Sequence, residues 1–265
     1  MPLLCEKRGQ VAILTLSRPE ARNAWCDAYN DGFIELLPML EADKDIRCVI
    51  LTGDPAGNAF SAGADLKNPM THAHASMADF LDELPERRRR SAIALVTDFS
   101  KPIVAAVNGY AIGIGCIVTY CCDMIVASDR AEWRLPQSRL GIMPAQGGSV
   151  RVARWVGKGM AARLAYGFPL PADEAYRIGL AQWLVPPDKL MEKAMEVALH
   201  ICDQPPLAVR VTKESLRSGL DSPLPEAVLA DLYRFAVLEM TEDRAESHQA
   251  WRERRKPEFK GRSMQ

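Results

Sequence analysis

The stretch PIVAAVNGYAIGIGCIVTYCCD, Pro102 to Asp123, decides how the rest of the chain is read. Its first part sets Ile103, Val104 and Val107 among alanines, the apolar β-branched composition of a buried strand. Asn108-Gly109 and then Gly113 and Gly115 punctuate it, and an apolar helix is expected to follow. A glycine-bearing turn from strand to helix leaves backbone N–H groups without intrahelical acceptors, at the end where the macrodipole favours negative charge. Such groups suit a phosphate, or an oxyanion developing on a carbonyl. Two glycines in a turn are most often just a turn, so this stretch alone assigns no function.

A second stretch, NAFSAGADLK at Asn58 to Lys67, repeats the arrangement. It follows the apolar run Cys48-Val49-Ile50-Leu51-Thr52 and carries small residues where a ligand can approach the backbone. Two such loops, each after a buried strand, can aim two N–H donors at one carbonyl oxygen. FSAGADLK, KPIVAAVNGYAIGIGC, Cys122-Asp123, LPQSRLGIMPAQGG and the C-terminal AWRERRKPEFKG stand in an order that resembles the crotonase (enoyl-CoA hydratase/isomerase) superfamily over nearly the whole chain. The resemblance implies an α/β fold, a crotonase-like spiral of ββα units with a helical C-terminal part. It places an acyl-CoA-binding spiral core in residues 1–195 and a helical trimerisation part in residues 196–265. It also implies an acyl-CoA thioester as substrate, coenzyme A entering only as part of it with no tightly bound cofactor, and a homotrimer or dimer of trimers.

Composition narrows the rest. At 265 residues the chain suits one large α/β domain with or without a helical appendage. A net charge of −1 gives no global pull toward nucleic acid. No run reaches 18 consecutive apolar residues and MPLLCEKRGQ lacks an apolar core fit for secretion, so no membrane association is expected. Seven cysteines scattered among apolar residues fit reduced thiols in a cytoplasmic protein. His72, His74, His200 and His248 show no ligand spacing with them, so no metal is expected.

Along the chain, Val11 to Leu16 predicts a strand and Asp27 to Glu41 an amphipathic helix, with a kink expected at Pro38. Apolar strands separated by helices predict parallel pairing. The segment from Lys67 to Ser91, with Met70, His72, His74, Asp82, Glu83, Glu86 and the arginines 87–90, predicts a solvated helix or mobile segment over a ligand site. Met124 to Ala127 and Ala131 to Pro136 predict further strands. A helix is expected from Gly148 through Val156, another from Ala172 to near Gly179 with a short strand after it, and mostly helix from Lys189 to Arg255.

The resemblance implies roles residue by residue. The backbone N–H groups of Ala64 and Ile114 would be the two donors to the thioester carbonyl. Ile114 departs from the family's usual glycine, and its β-branched side chain would reshape the pocket or constrain φ. Ala62, Asp65 and Leu66 match positions around the adenine, Ala21 and Arg22 a loop near the adenosine phosphate. Trp251 and Arg254 match C-terminal positions that reach the coenzyme A of a neighbouring subunit; otherwise Trp251 is a core aromatic and Arg254 a solvated charge. The two glutamates that hold water in the family's hydratases fall on Ile117 and Gln137, and neither side chain takes a proton at pH 7. Gln137 can still orient water or a substrate hydroxyl. Cys116, Tyr110, Asp65 and Asp123 are expected to pack or to fix loops rather than react.

Three readings stand. The first is an enoyl-CoA hydratase/isomerase-type enzyme with a diverged acid–base set. The second is a hydrolase, decarboxylase or C–C lyase that uses the same oxyanion stabilisation on an unusual acyl-CoA. The third is a non-catalytic acyl-CoA- or RNA-binding protein, supported only by the basic runs at 87–90 and 252–256.

Overall fold

The computed structural model describes residues 2–67 and 76–262, apart from the side chains of 87–89. A hairpin opens the chain, β1 (Leu3–Arg8) against β2 (Val11–Leu16). Gly9 turns it at φ +59°, a conformation that costs glycine little. Helix α1 (Asp27–Ala42) follows and continues through Pro38, which lies on its exposed side near the C-terminal end. Next come β3 (Cys48–Gly53), β4 (Ala59–Ser61), α2 (Met77–Arg89) and α3 (Ala92–Asp98). The central stretch supplies β5 (Ile103–Val107), β6 (Tyr110–Ile112) and α4 (Ile114–Thr119). After it run β7 (Met124–Ser128), β8 (Glu132–Arg134) and α5 (Gly148–Ala165), whose helical path is interrupted at Gly157. Then come β9 (Leu170–Pro171), α6 (Ala172–Arg177), β10 (Trp183–Val185) and the helices α7 (Leu190–Cys202), α8 (Pro206–Gly219), α9 (Leu224–Glu239) and α10 (Glu242–Glu253).

The strands form two sheets, one in the order β1-β2-β3-β5-β7-β10 and one in the order β4-β6-β8-β9. The pairs β3/β4, β5/β6 and β7/β8 each give one strand to either sheet, which is the spiral of ββα turns. All neighbours in the large sheet beyond the β1–β2 hairpin are parallel. Strand periodicity explains why its sequences are apolar throughout. Val11 and Ile13, Cys48 and Ile50, Val104 and Ala106 face α7, where Ala194, Val197, Ala198 and Cys202 cover them. Leu14, Val49, Leu51, Ala105 and Val107 face the other way, into the main core with Phe33, Phe60 and Trp133. With both faces covered, each strand reads as an unbroken hydrophobic run. The 195/196 division falls inside α7, a single helix packed under this sheet. No helix among the described residues is long and apolar enough to cross a membrane.

Candidate functional site

Two backbone loops meet at the ends of β4 and β6. Gly63 stands at φ +86° and Gly113 at φ +56°, both in the left-handed region that glycine tolerates. A Cβ added at Gly63 would lie 2.9 Å from the carbonyl oxygen of Ile112, and one at Gly113 would lie 3.8 Å from the Cα of Gly63. A side chain at Gly115 would run into Ser61, 2.5 Å from its Cβ. The glycines therefore let the loop carrying Ala64 and the turn carrying Ile114 touch.

The orientation of Ala64 is fixed by Trp25. The Trp25 N–H donates to Gly63 O (2.7 Å) and Trp25 O accepts from the Asp65 N–H (3.0 Å). Trp25 thus bonds the residues on either side of Ala64, so the N–H of Ala64 itself points to the opposite side. Ile114 is the first residue of α4, whose opening N–H groups have no acceptor within the helix. At six residues α4 is short, so its dipole adds little and the positioned N–H is what matters. Ile114 is half-buried against the main core.

The loop of residues 21–22 belongs to the same corner. Ala21 closes a 3-10 turn from Pro19, Arg22 follows at φ +52°, and the Ala62 N–H donates to Arg22 O (3.1 Å). Asp65 is a fixer here: buried, it accepts from Arg18 Nη2 at 2.9 Å and from the Lys67 N–H at 3.0 Å. Asn23, at φ +56° and fully buried, ties the corner together by donating to Asp54 O and Ala59 O and accepting from the Arg18 N–H. Leu66 is 75 % exposed beside these residues. Arg18, Asn23 and Trp25 escape a reading of the sequence. The partners that tie them to the other loop lie 30 to 50 positions away, and Asn in a left-handed turn is a weak local signal.

Gln137 reaches the same place from a different element. It sits in a 3-10 turn, Pro136–Leu140, after β8, and its Nε2 would lie 3.6 Å from a Cβ at Gly113. Its Oε1 is buried and accepts no hydrogen bond among the described residues. A buried acceptor without a donor is costly, and it suits a place where a donor arrives with a ligand. Ile117 is 3 % exposed and packs on the start of α5: a Cβ at Gly148 would lie 2.8 Å from its Cδ1.

The other reactive candidates are placed elsewhere or silenced. Cys116 is fully buried, its Sγ 2.6 Å from Tyr120 Oη, and burial pushes the thiol up to about 12. Asp123 accepts from the Ile103 N–H and pairs with Lys213 at 2.7 Å. Burial pushes its carboxyl above the usual range, with Lys213 pulling the other way. Tyr110 lies under the Arg134 guanidinium, 5.2 Å from its ring centre. Asp82, Glu83 and Glu86 are exposed on α2, while His72, His74 and Met70 lie outside the described residues. Trp251 is 82 % exposed, which overturns its reading as a core aromatic, and Arg254 ends α10 in a left-handed conformation. Among the described residues, no group of three or more His, Cys, Asp or Glu side chains could hold a metal.

Two loops that converge through glycines, with N–H groups facing away from their own strands, form the arrangement to compare with known proteins. The family model for enoyl-CoA hydratase/isomerase matches residues 6–262. The chain belongs to the enoyl-CoA hydratase/isomerase family. It is 36 % identical over 261 residues to 2,3-dehydroadipyl-CoA hydratase of Escherichia coli K12, covering 98 % of this chain and 99 % of that protein. It is 36 % identical over 265 residues to the short-chain-enoyl-CoA hydratase of Clostridium acetobutylicum, covering 98 % of each. Among solved structures, an enoyl-CoA hydratase subunit of Geobacillus kaustophilus HTA426 superposes with a TM-score of 0.89 at 32 % identity, covering 99 % of both chains. The spiral expected from the sequence is thus the fold of its enoyl-CoA hydratase relatives.

Proposed function

We propose that this enoyl-CoA hydratase/isomerase family member acts on an acyl-CoA thioester and stabilises its enolate, or a related oxyanion, in a hole made by the N–H groups of Ala64 and Ile114. The contact of the Gly63 and Gly113 loops supports the reading, because it sets the loop carrying Ala64 against the turn carrying Ile114. Fixed donors need no reorganisation as charge develops, and removing one such donor typically costs about 10²–10³ in kcat. The adenosine end would lie along residues 21–22 and 62–66, with Trp251 and Arg254 supplied by a neighbouring copy.

Gln137 then occupies the acid–base position without being able to exchange a proton, and buried Ile117 closes the other side with hydrocarbon. Gln137 Oε1 takes a hydrogen bond from a water or from a hydroxyl of the acyl group. That pair of residues also favours a second reading, in which decarboxylation or C–C cleavage leaves the enolate, or hydrolysis passes through a tetrahedral oxyanion, and two carboxylates are not needed.

Hydration of crotonyl-CoA, followed by loss of the enoyl absorbance, separates the readings when wild type is run beside Gln137→Glu/Ile117→Glu. Turnover by the wild type supports hydration with water oriented by Gln137. Turnover by the double variant alone supports the second reading on an intact oxyanion hole. Absence of both, together with no coenzyme A binding, sinks the proposal.

A further inference from the structure

At the N-terminal ends of β2 and β3, the edge of the sheet opposite to the loops above, a cavity of about 510 Å³ opens between the core, the start of α8 and the C-terminal tail. That volume is in the range that holds a metabolite-sized ligand, about 300–1,000 Å³. Its lining is strongly unbalanced, with six basic side chains against the acids Glu41 and Asp45.

Glu41 is already engaged. It accepts from the Ser100 N–H at 3.1 Å and from the Ser100 hydroxyl, and it pairs with Arg210 at 3.3 Å. Arg47 is committed to backbone, donating to Cys202 O and Phe259 O and so holding the tail to the end of α7. Lys101 is only 6 % exposed, and its ammonium donates to Leu40 O and Asp43 O, both at 2.6 Å. Its partners among the described residues are those carbonyls rather than a carboxylate, and an ammonium has a third hydrogen to give. An uncompensated buried charge is expensive, and a bound anion offsets that cost. Burial holds this ammonium below its usual range, with Glu41 and Asp43 pulling the other way, and an anion beside it would add to that pull. Lys44, Lys260 and Arg262 are exposed at the same cavity and form no ion pair among the described residues.

We propose that this cavity binds a small multiply charged oxyanion, a di- or triphosphate or a di- or tricarboxylate, between buried Lys101 and the exposed Lys44, Lys260 and Arg262. The groups come from separate parts of the chain, the residues after α1, the bend that leads into β5, and the tail. A bound anion therefore ties the tail, and α10 before it, to the core.

Calorimetric titration of the full chain with inorganic pyrophosphate, and separately with citrate, at constant ionic strength tests this. The expected result is one site per chain, weakened at least tenfold by Lys260→Glu/Arg262→Glu and by Lys44→Glu on the opposite wall. Lys158→Glu, exposed on α5 far along the chain, is expected to bind as wild type does. Binding is also expected to persist with coenzyme A at saturation, which separates this cavity from the acyl-CoA site whether or not that site is as proposed. A response to pyrophosphate alone assigns the phosphate class, and one to citrate alone the carboxylate class. No binding of either anion, displacement by coenzyme A, or equal weakening by Lys158→Glu overturns the proposal.

Discussion

Gly63 lies so close to Ile112 that a Cβ on the first would sit 2.9 Å from the carbonyl oxygen of the second. Contact through bare backbone is what brings the N–H of Ala64 beside the turn that carries Ile114. Gly63→Ala adds both that clash and a non-glycine residue at φ +86°. The strain costs about 1–3 kcal/mol, which a lowered melting temperature reads. The larger effect is on rate, since moving a donor by about 1 Å costs on the order of 10²-fold in kcat/KM. A variant that melts lower yet keeps its kcat/KM would remove the loop contact from the mechanism.

Gln137 invites the opposite test. Its buried Oε1 accepts no hydrogen bond among the described residues, and leaving such an acceptor unsatisfied costs about 1–3 kcal/mol. Gln137→Met keeps the side chain's length and removes the orphan atom. The variant is expected to melt at or above the wild-type temperature and to lose at least about tenfold in kcat/KM, the low end for a group that orients a reactant. Lower stability with full activity would mean that Gln137 serves packing alone.

Helix α9 buries none of its residues, although it carries Leu224, Val228, Leu232, Phe235 and other large apolar side chains that are more than half exposed. A contiguous apolar face of this kind marks an interaction surface. A second copy is the expected partner, and Leu232→Glu/Phe235→Glu is expected to shift the chain to monomer in light scattering. Trp251 is 82 % exposed in its own chain. If it reaches a neighbour's coenzyme A, then Trp251→Ala in the oligomer and the monomerising variant lose coenzyme A affinity together. Truncating it is expected to change stability by no more than about 0.5 kcal/mol, as for other surface substitutions.

How much of this was legible depended on how local each signal is. The strands of the large sheet were readable because α7 covers one face and the main core the other, leaving runs such as Val11 to Leu16 apolar throughout. β1 was not, since only Leu3 of LLCEKR is buried and an edge strand with one covered residue has no pattern to show. β4 and β6 have three residues each, too few for a period of two to register, whereas β8, equally short, shows through the alternation of the flanking residues from Ala131 to Pro136. At the site, glycines and small residues announced the two loops. The ties that orient them, Trp25 to residues 63 and 65 and Arg18 to Asp65, join positions about 40 apart and leave no local trace. The same holds for Ile117, whose neighbour Gly148 opens a helix in the next turn of the spiral.

The tail that follows α10 has a pH-dependent clasp. Glu246 takes a forked pair of hydrogen bonds from Arg255, at 2.5 and 2.8 Å, and a third from the Glu258 N–H at 2.8 Å. The Arg255 guanidinium is the main cause that holds the Glu246 carboxyl down at about 2, against an ordinary 4.5. A carboxyl depressed in the folded state stabilises the fold fully above its unfolded value and loses that contribution as pH falls through its folded value. The clasp therefore acts above about 4.5 and releases between about 4.5 and 2. Melting temperatures of wild type and Glu246→Gln are expected to differ at pH 6 and to converge as pH falls toward 2. A difference that stays constant over that range would mean that the pair adds no charge-dependent stability, and that the tail is held by the bonds of Asp243 to Lys260 and Gly261 instead.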